Sequence, residues 1–225
     1  LFLTTDPYAC NGAISHINDW LLLRPIFKGG RLIAYAAMFG HMTDVGGKVP
    51  GSLPTDAREI FEEGIRVPPL KIFKNDELQT DVLNLILHNS RMPTWNRSDF
   101  NALVAAMRTA EKRVIEMAER FGDDEYYSAL DELLARNKRA MARLIKDTVP
   151  TKKQHFEDYI CDDGLGMGPY RIKCSMWRDK DKVIFDFDGT DPQSISSINF
   201  YLNEEMFKMF CGDYMIMVFD PQIMF

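Results

Sequence analysis

No Cys-x-x-Cys spacing and no paired cysteine framework occurs in this chain; Cys10, Cys161, Cys174 and Cys211 are scattered, as free thiols of a reducing compartment are. There is no cluster of basic residues interleaved with aromatics, and acidic residues outnumber basic ones by 33 to 27, so nucleic acid is not an expected partner. Long hydrophobic runs are missing too. Arg24, Arg31 and Lys208 interrupt the most apolar stretches well short of a membrane span, so no membrane partner is expected. Neither a signal peptide nor a low-complexity tract is visible, and the expected location is cytoplasmic. A nucleotide-binding loop is also lacking. Gly164-Leu-Gly-Met-Gly168 is not followed by Lys-Ser or Lys-Thr and is flanked by strand-like runs, so it reads as a hairpin loop.

What is present is a 225-residue chain with 46% hydrophobic and 27% charged residues, enough for a substantial core in one or two domains. It opens on Leu1-Phe-Leu-Thr-Thr5, as if inside a strand, and closes on the apolar run Met215–Phe225. Natural termini are usually polar and exposed, so a segment of a larger subunit is expected.

Chemistry concentrates near the N-terminus. Trp20–Phe27 and Leu32–Phe39 are apolar, β-type stretches joined by Lys28-Gly-Gly30, a hairpin signal. With Gly29 and Gly30 as the loop, Lys28 faces Arg31 and Asn18 faces His41. His16 and Asp19 then fall within one or two positions of His41 across the pair. Pro25 disturbs this count, because a proline in a strand implies an edge or a bulge, and a bulge shifts register. Two imidazoles and a carboxylate suit a divalent transition metal such as Mn, Fe, Zn or Ni and leave positions open for substrate.

The expected class is α+β, in three regions. Residues 1–75 form a β-rich part with the metal-site hairpin, including a turn-dense loop over Gly46–Pro54 and a short helix from Thr55 or Asp56 to Glu63. Residues 76–150 are helical: a helix over Asp81–His88, then an antiparallel αα-hairpin whose first helix follows a Ser98 cap and whose break is Gly122-Asp-Asp124. Residues 151–225 hold three antiparallel strands, Phe156–Cys161, Tyr170–Trp177 and Val183–Phe187, followed by an amphipathic helix from about Asn199.

Val183-Ile-Phe-Asp-Phe-Asp-Gly-Thr190 matches the first motif of haloacid-dehalogenase-like phosphotransferases, which would make Asp186 a nucleophile and Asp188 an acid/base beside Mg²⁺. The context disfavours it. The short turn Arg178–Lys182 points to an antiparallel meander, and too little sequence follows for the downstream motifs of that family. A strand ending in an Asp-Gly turn is the preferred reading.

The stretches Asp6-Pro-Tyr8, His16-Ile-Asn-Asp19, Gly40-His-Met-Thr-Asp-Val-Gly-Gly47, Pro50-Gly-Ser-Leu-Pro54, Glu62-Glu-Gly-Ile-Arg-Val-Pro-Pro69, Asn89-Ser-Arg-Met-Pro93, Asp186-Phe-Asp-Gly-Thr190 and Ile198-Asn199 run in order along the chain. Together they resemble the hydantoinase B / acetone carboxylase α-subunit family, with Asp188 where that family usually has Thr. Asn18-Asp-Trp20, Thr94-Trp-Asn-Arg97 and the wording of 203–225 look most like the acetone carboxylase α subunits. The resemblance implies an Mn²⁺ site at His16, Asp19 and His41, with Zn²⁺ or Fe²⁺ as alternatives, and Asp6 and Asp44 as groups that orient the imidazoles. It implies ATP and Mg²⁺ on a hydantoinase A-like β subunit, and a small γ subunit completing the assembly. The implied reaction is ATP-dependent carboxylation of acetone with bicarbonate to acetoacetate through phosphorylated intermediates, by a subunit inactive on its own. The rival implied by the same family is a hydantoinase or oxoprolinase type of cyclic-amide hydrolysis, and acetophenone is a further ketone substrate.

Overall fold

The computed structural model describes residues 1–201 and 203–219; the end of the C-terminal apolar run lies outside them. The fold is mixed α and β with antiparallel sheets, and it divides into two compact units, Leu1–Asp123 with Phe200–Asn203, and Asp124–Asn199 with Glu204 onward.

In the first unit, strands β1 (Phe2–Thr4), β2 (Asp19–Lys28), β3 (Arg31–His41) and β4 (Leu70–Lys71) form one sheet in the order β3-β2-β1-β4. Gly29 and Gly30 turn the chain between β2 and β3 with φ of 58° and 81°, the left-handed pair that a two-residue hairpin needs and that L side chains resist. Asn75 and Asp76 do the same between β5 (Phe73–Lys74) and β6 (Glu77–Leu78).

One face of the β2–β3 hairpin packs on helix α2 (Pro93–Phe121). Alternation along β2 sends Trp20, Leu22 and Ile26 into that interface, where each is almost fully buried. Phe100 of α2 meets Trp20 edge-on at 6.4 Å and stacks on Phe73 at 6.3 Å. Gly40 lies where a side chain would crowd this layer, since a Cβ there would sit 3.1 Å from Leu103. Arg24 shares the buried face and is held by Asp76 and Glu111 at 2.9 and 2.8 Å. Helix α1 (Thr80–His88) adds Leu83, Ile86 and Leu87 to the same core.

Three local expectations change. The helix expected from Thr55 or Asp56 to Glu63 is only a 3₁₀ turn at Ile60–Glu62, closed by a Glu59/Glu62 capping box and with none of its three residues buried. The long helix starts before Ser98, because Pro93 occupies its first turn, where a missing N–H costs nothing. The C-terminal helix begins at Glu204 instead of Asn199, whose side chain bonds back to Ser194 and Ser196.

The second unit contains α3 (Asp123–Thr148, whose first residue falls on the boundary), strands β7 (Gln154–Ile160), β8 (Tyr170–Asp179) and β9 (Lys182–Asp186), and α4 (Glu204–Phe219). The strands form an antiparallel sheet in the order β7-β8-β9, and α4 seats Phe207 against Phe185 and Phe187. Gly122, with φ of 88°, ends α2 before α3, and the two long helices belong to different units. The glycine-rich 164–168 stretch is a loop between antiparallel strands. It is held by buried Asp163, which accepts hydrogen bonds from the Leu165 and Met167 amides and the Tyr170 and Ser194 hydroxyls. Asp186 ends β9 in an antiparallel meander; its carboxylate takes the Lys153 ammonium at 2.8 Å and the Asp188 N–H at 3.0 Å. That is the anchoring of a turn, with both oxygens engaged.

Candidate metal centre

The site is built at the open end of the β2–β3 hairpin. From the turn, Lys28 pairs with Arg31 and Phe27 with Leu32, but Ile26 pairs with Ala34, so Ile33 is an extra residue on β3. This bulge moves every later pair by one position. Asp19, not Asn18, therefore faces His41. Asn18 points to the other side and ties two loops together, donating to the carbonyls of Met42 at 3.0 Å and Gly51 at 3.3 Å.

His16 reaches the same place through a tight turn, in which the Asp19 N–H donates to the His16 carbonyl at 3.1 Å. The Asp19 carboxylate then lies between two imidazoles, Oδ2 at 3.4 Å from His16 Nε2 and Oδ1 at 2.9 Å from His41 Nδ1. The two rings meet edge to face at 5.5 Å. One nitrogen from each ring and one carboxylate oxygen lie within 4.8 Å of one another, and no other such group of three occurs among the described residues.

Burial is uneven. The Asp19 side chain is 10% exposed, whereas those of His16 and His41 are 41% and 46% exposed. A buried carboxylate between two half-exposed imidazoles, each with a nitrogen turned toward it, makes an open three-donor cup. Its donors are those that borderline divalent ions take.

Asp6 and Asp44 lie close in sequence to this cup but are bonded elsewhere. Asp6 accepts the N–H groups of Tyr8 and Ala9 and pairs with Arg66 at 3.3 Å. Asp44 is buried at the centre of a loop-holding hub. It takes the amides of Gly46, Gly51 and Arg91 and the Arg91 guanidinium at 2.9 Å. Burial pushes the Asp44 carboxyl up, but the bonds from Arg91, Gly51 and Gly46 outweigh it and hold its pKa below the usual carboxylate value. Neither carboxylate bonds to an imidazole among the described residues. The polar neighbour of His16 Nδ1 is Ser15 Oγ at 3.4 Å.

Arg91 was not singled out as a site residue from the sequence. Its guanidinium also donates to the carbonyls of Gly46, Gly47 and Val49, and so gathers the 44–51 loop that Asn18 clamps from the other side. Ser90 and Asn96 complete the hub on the Asp44 carbonyl at 2.7 and 2.6 Å. Gly46 fits there because a Cβ would lie 2.6 Å from the Asn89 carbonyl.

Comparison with known proteins agrees with this architecture. The chain matches the Hydantoinase B/oxoprolinase family over residues 1–224. It is 32% identical over 200 residues to the caprolactamase subunit beta of Pseudomonas jessenii, covering 88% of this chain and 34% of that protein. To the acetophenone carboxylase delta subunit of Aromatoleum aromaticum it is 30% identical over 187 residues, covering 82% of this chain and 27% of that one. The crystal structure of the ATP-dependent caprolactamase superposes with a TM-score of 0.80 over 88% of this chain and 34% of that chain. A nucleotide-free acetone carboxylase structure, 20% identical, superposes with a TM-score of 0.85 over 98% of this chain and 30% of that chain, a likeness of fold. The chain thus spans 27% to 34% of the length of these relatives. By the family match along almost its whole length, it belongs to the Hydantoinase B/oxoprolinase family.

Proposed function

We propose that this chain is the metal-binding part of a subunit of an ATP-dependent ketone carboxylase that converts acetone and bicarbonate to acetoacetate and water. The observation that carries the reading is the convergence of His16, Asp19 and His41 on one open cup. Mn²⁺ is the ion proposed, with Zn²⁺ or Fe²⁺ accepted by the same donors. Two neutral imidazoles and one carboxylate leave a divalent ion with net positive charge and free positions. Bound there, it supplies a Lewis acid for a carbonyl oxygen and for the negative charge that develops on it.

The chain's own residues set the cup up for this. Asp19, buried, holds both rings in place before any ligand arrives. The exposed sides of His16 and His41 leave the approach to the donors open. Asn18 and Arg91 fix the loop next to His41, so that the donors are carried by a strand pair and a tied loop. ATP and Mg²⁺ are assigned to a partner subunit of the hydantoinase A type, and a small third subunit completes the proposed assembly.

A second reading is ATP-dependent opening of a cyclic amide at the same cup, favoured by the 32% identity to the caprolactamase beta subunit. One experiment separates the two. The complete enzyme is supplied with ATP, Mg²⁺ and labelled bicarbonate, together with acetone, acetophenone or a lactam. Label fixed into a β-keto acid supports carboxylation. An amino acid released from the lactam, without fixed label, supports the second reading and rejects the first.

A further inference from the structure

Asp19 and His41 occupy one end of a sheet face that continues, in register, into an uncovered apolar strip. The next pair on that face is Leu21 with Phe39, followed by Leu23 with Ala37 and Pro25 with Tyr35. The opposite face of these strands carries Trp20, Leu22 and Ile26 into the core, but Phe39 is 63% exposed and Tyr35 60% exposed. Across the sheet from Leu21 lies Thr4, which is buried, with its hydroxyl on the Val67 carbonyl at 3.0 Å. At Leu21 the strip therefore meets covered chain on the β1 side, with half-buried Phe2 beside Leu23, and it is open on the β3 side.

Two residues along a strand span roughly 7 Å. The Leu21–Phe39 pair thus begins one substituent's length from the donor pair. For a molecule whose carbonyl oxygen lies at the cup, Leu21 and Phe39 are the apolar side chains next along this sheet face, within reach of a group on its carbonyl carbon. A hydrocarbon group gains contact there, whereas a polar group is desolvated without a partner.

We infer that Leu21 and Phe39 are specificity-determining residues that receive the apolar substituent on the substrate's carbonyl carbon. The inference rests on the reading of the cup as the carbonyl site, and it names the substrate class as carbonyl compounds with a hydrocarbon arm. It holds for a ketone or a lactam alike.

The test uses the complete enzyme loaded with Mn²⁺, without ATP, and calorimetric binding of acetone and acetophenone, so that the readout does not depend on turnover. Phe39→Ala should weaken acetophenone relative to acetone by roughly three- to tenfold, the range of one aromatic contact, with metal content unchanged. Phe39→Leu should lose part of that preference, and Leu21→Ala should lower it from the other side of the pair. Equal weakening of both ketones, or no change, overturns the inference while leaving the carbonyl reading standing. Loss of metal in all three variants overturns it too, because the pair would then be scaffolding for the donors. If the wild-type enzyme binds neither ketone nor a lactam, the carbonyl reading itself fails and this inference with it.

Discussion

Asp19 faces His41 directly across the β2–β3 hairpin, and it does so because Ile33 is one residue too many for its strand. The bulge lies one residue from Pro25 in the pairing, on the partner strand, where a ring without an N–H cannot complete the ladder. A conformational detail near the turn thus decides which side chain stands beside the histidine at the far end. Asn18, displaced from that position, serves instead as a clamp between two loops.

The core behind the site should be sensitive to Phe100. Its ring contacts Trp20 and Phe73, and it is 1% exposed, so Phe100→Ala leaves a cavity that the three elements cannot close. The expected loss is about 3–5 kcal/mol, measured as a fall in the denaturant midpoint. A loss below about 1 kcal/mol would mean that the layer repacks freely.

Arg91→Ala should release the 44–51 loop. It removes the cation from buried Asp44 and takes a donor from the Gly46, Gly47 and Val49 carbonyls, of which Gly46 keeps the Ser52 hydroxyl. A cost of about 2–3 kcal/mol is expected for hydrogen bonds to a charged partner. Arg91→Lys should recover little, because an ammonium cannot span the carboxylate and several carbonyls as a planar fork does. Proteolytic nicking within 44–51 in the variant but not in the wild type is the direct readout.

Acid should undo the same hub. The pKa of Asp44 in the folded protein lies below its unfolded value, which is about 3.9. Its stabilisation is therefore complete above about pH 4 and is lost as pH falls through the lower, folded value. Asp44→Asn should be less stable than wild type at neutral pH, and the gap should narrow steadily below about pH 4. A gap independent of pH would contradict the charge-based account.

Asp186→Asn should leave the protein without a phosphatase phenotype to lose. The carboxylate is engaged by Lys153 and the Asp188 N–H in a turn whose following residues are exposed, so the change should leave the denaturant midpoint close to that of the wild type. Turnover of a generic phosphomonoester with Mg²⁺, abolished by the substitution, would restore the phosphotransferase reading.

Much of this was legible from residues alone, and the failures have physical causes. The Gly29-Gly30 turn, the alternation along β2 and β3, and the long helical periodicity declare themselves locally. So does the convergence of His16, Asp19 and His41, since the hairpin brings the three side chains together in either register. Pro25 signals that the register is open to a bulge, but the sequence does not say where the extra residue falls; the structure puts it at Ile33, on the partner strand. The family resemblance implies Asp44 as a group that orients the imidazoles. Its actual partner, Arg91, lies beyond two loops and a helix, and only tertiary structure brings them together. The Thr55–Glu63 stretch carries Ala57, Ile60 and Phe61 at helical spacing, but Phe61 stays exposed and none of residues 60–62 is buried, so little packing holds a helix and only a 3₁₀ turn forms.

The central claim, that His16, Asp19 and His41 form one metal cup, is tested most directly by elemental analysis of the purified protein beside its His16→Ala, His41→Ala and Asp19→Asn variants. The wild type should carry a stoichiometric divalent ion, Mn²⁺ first, that survives dialysis. Each variant should lose most of it while keeping the wild-type circular dichroism, because removing one of three protein donors takes away charge balance or geometry. Unchanged metal content in the variants, or a wild type that binds no divalent ion when it is supplied, would contradict the account.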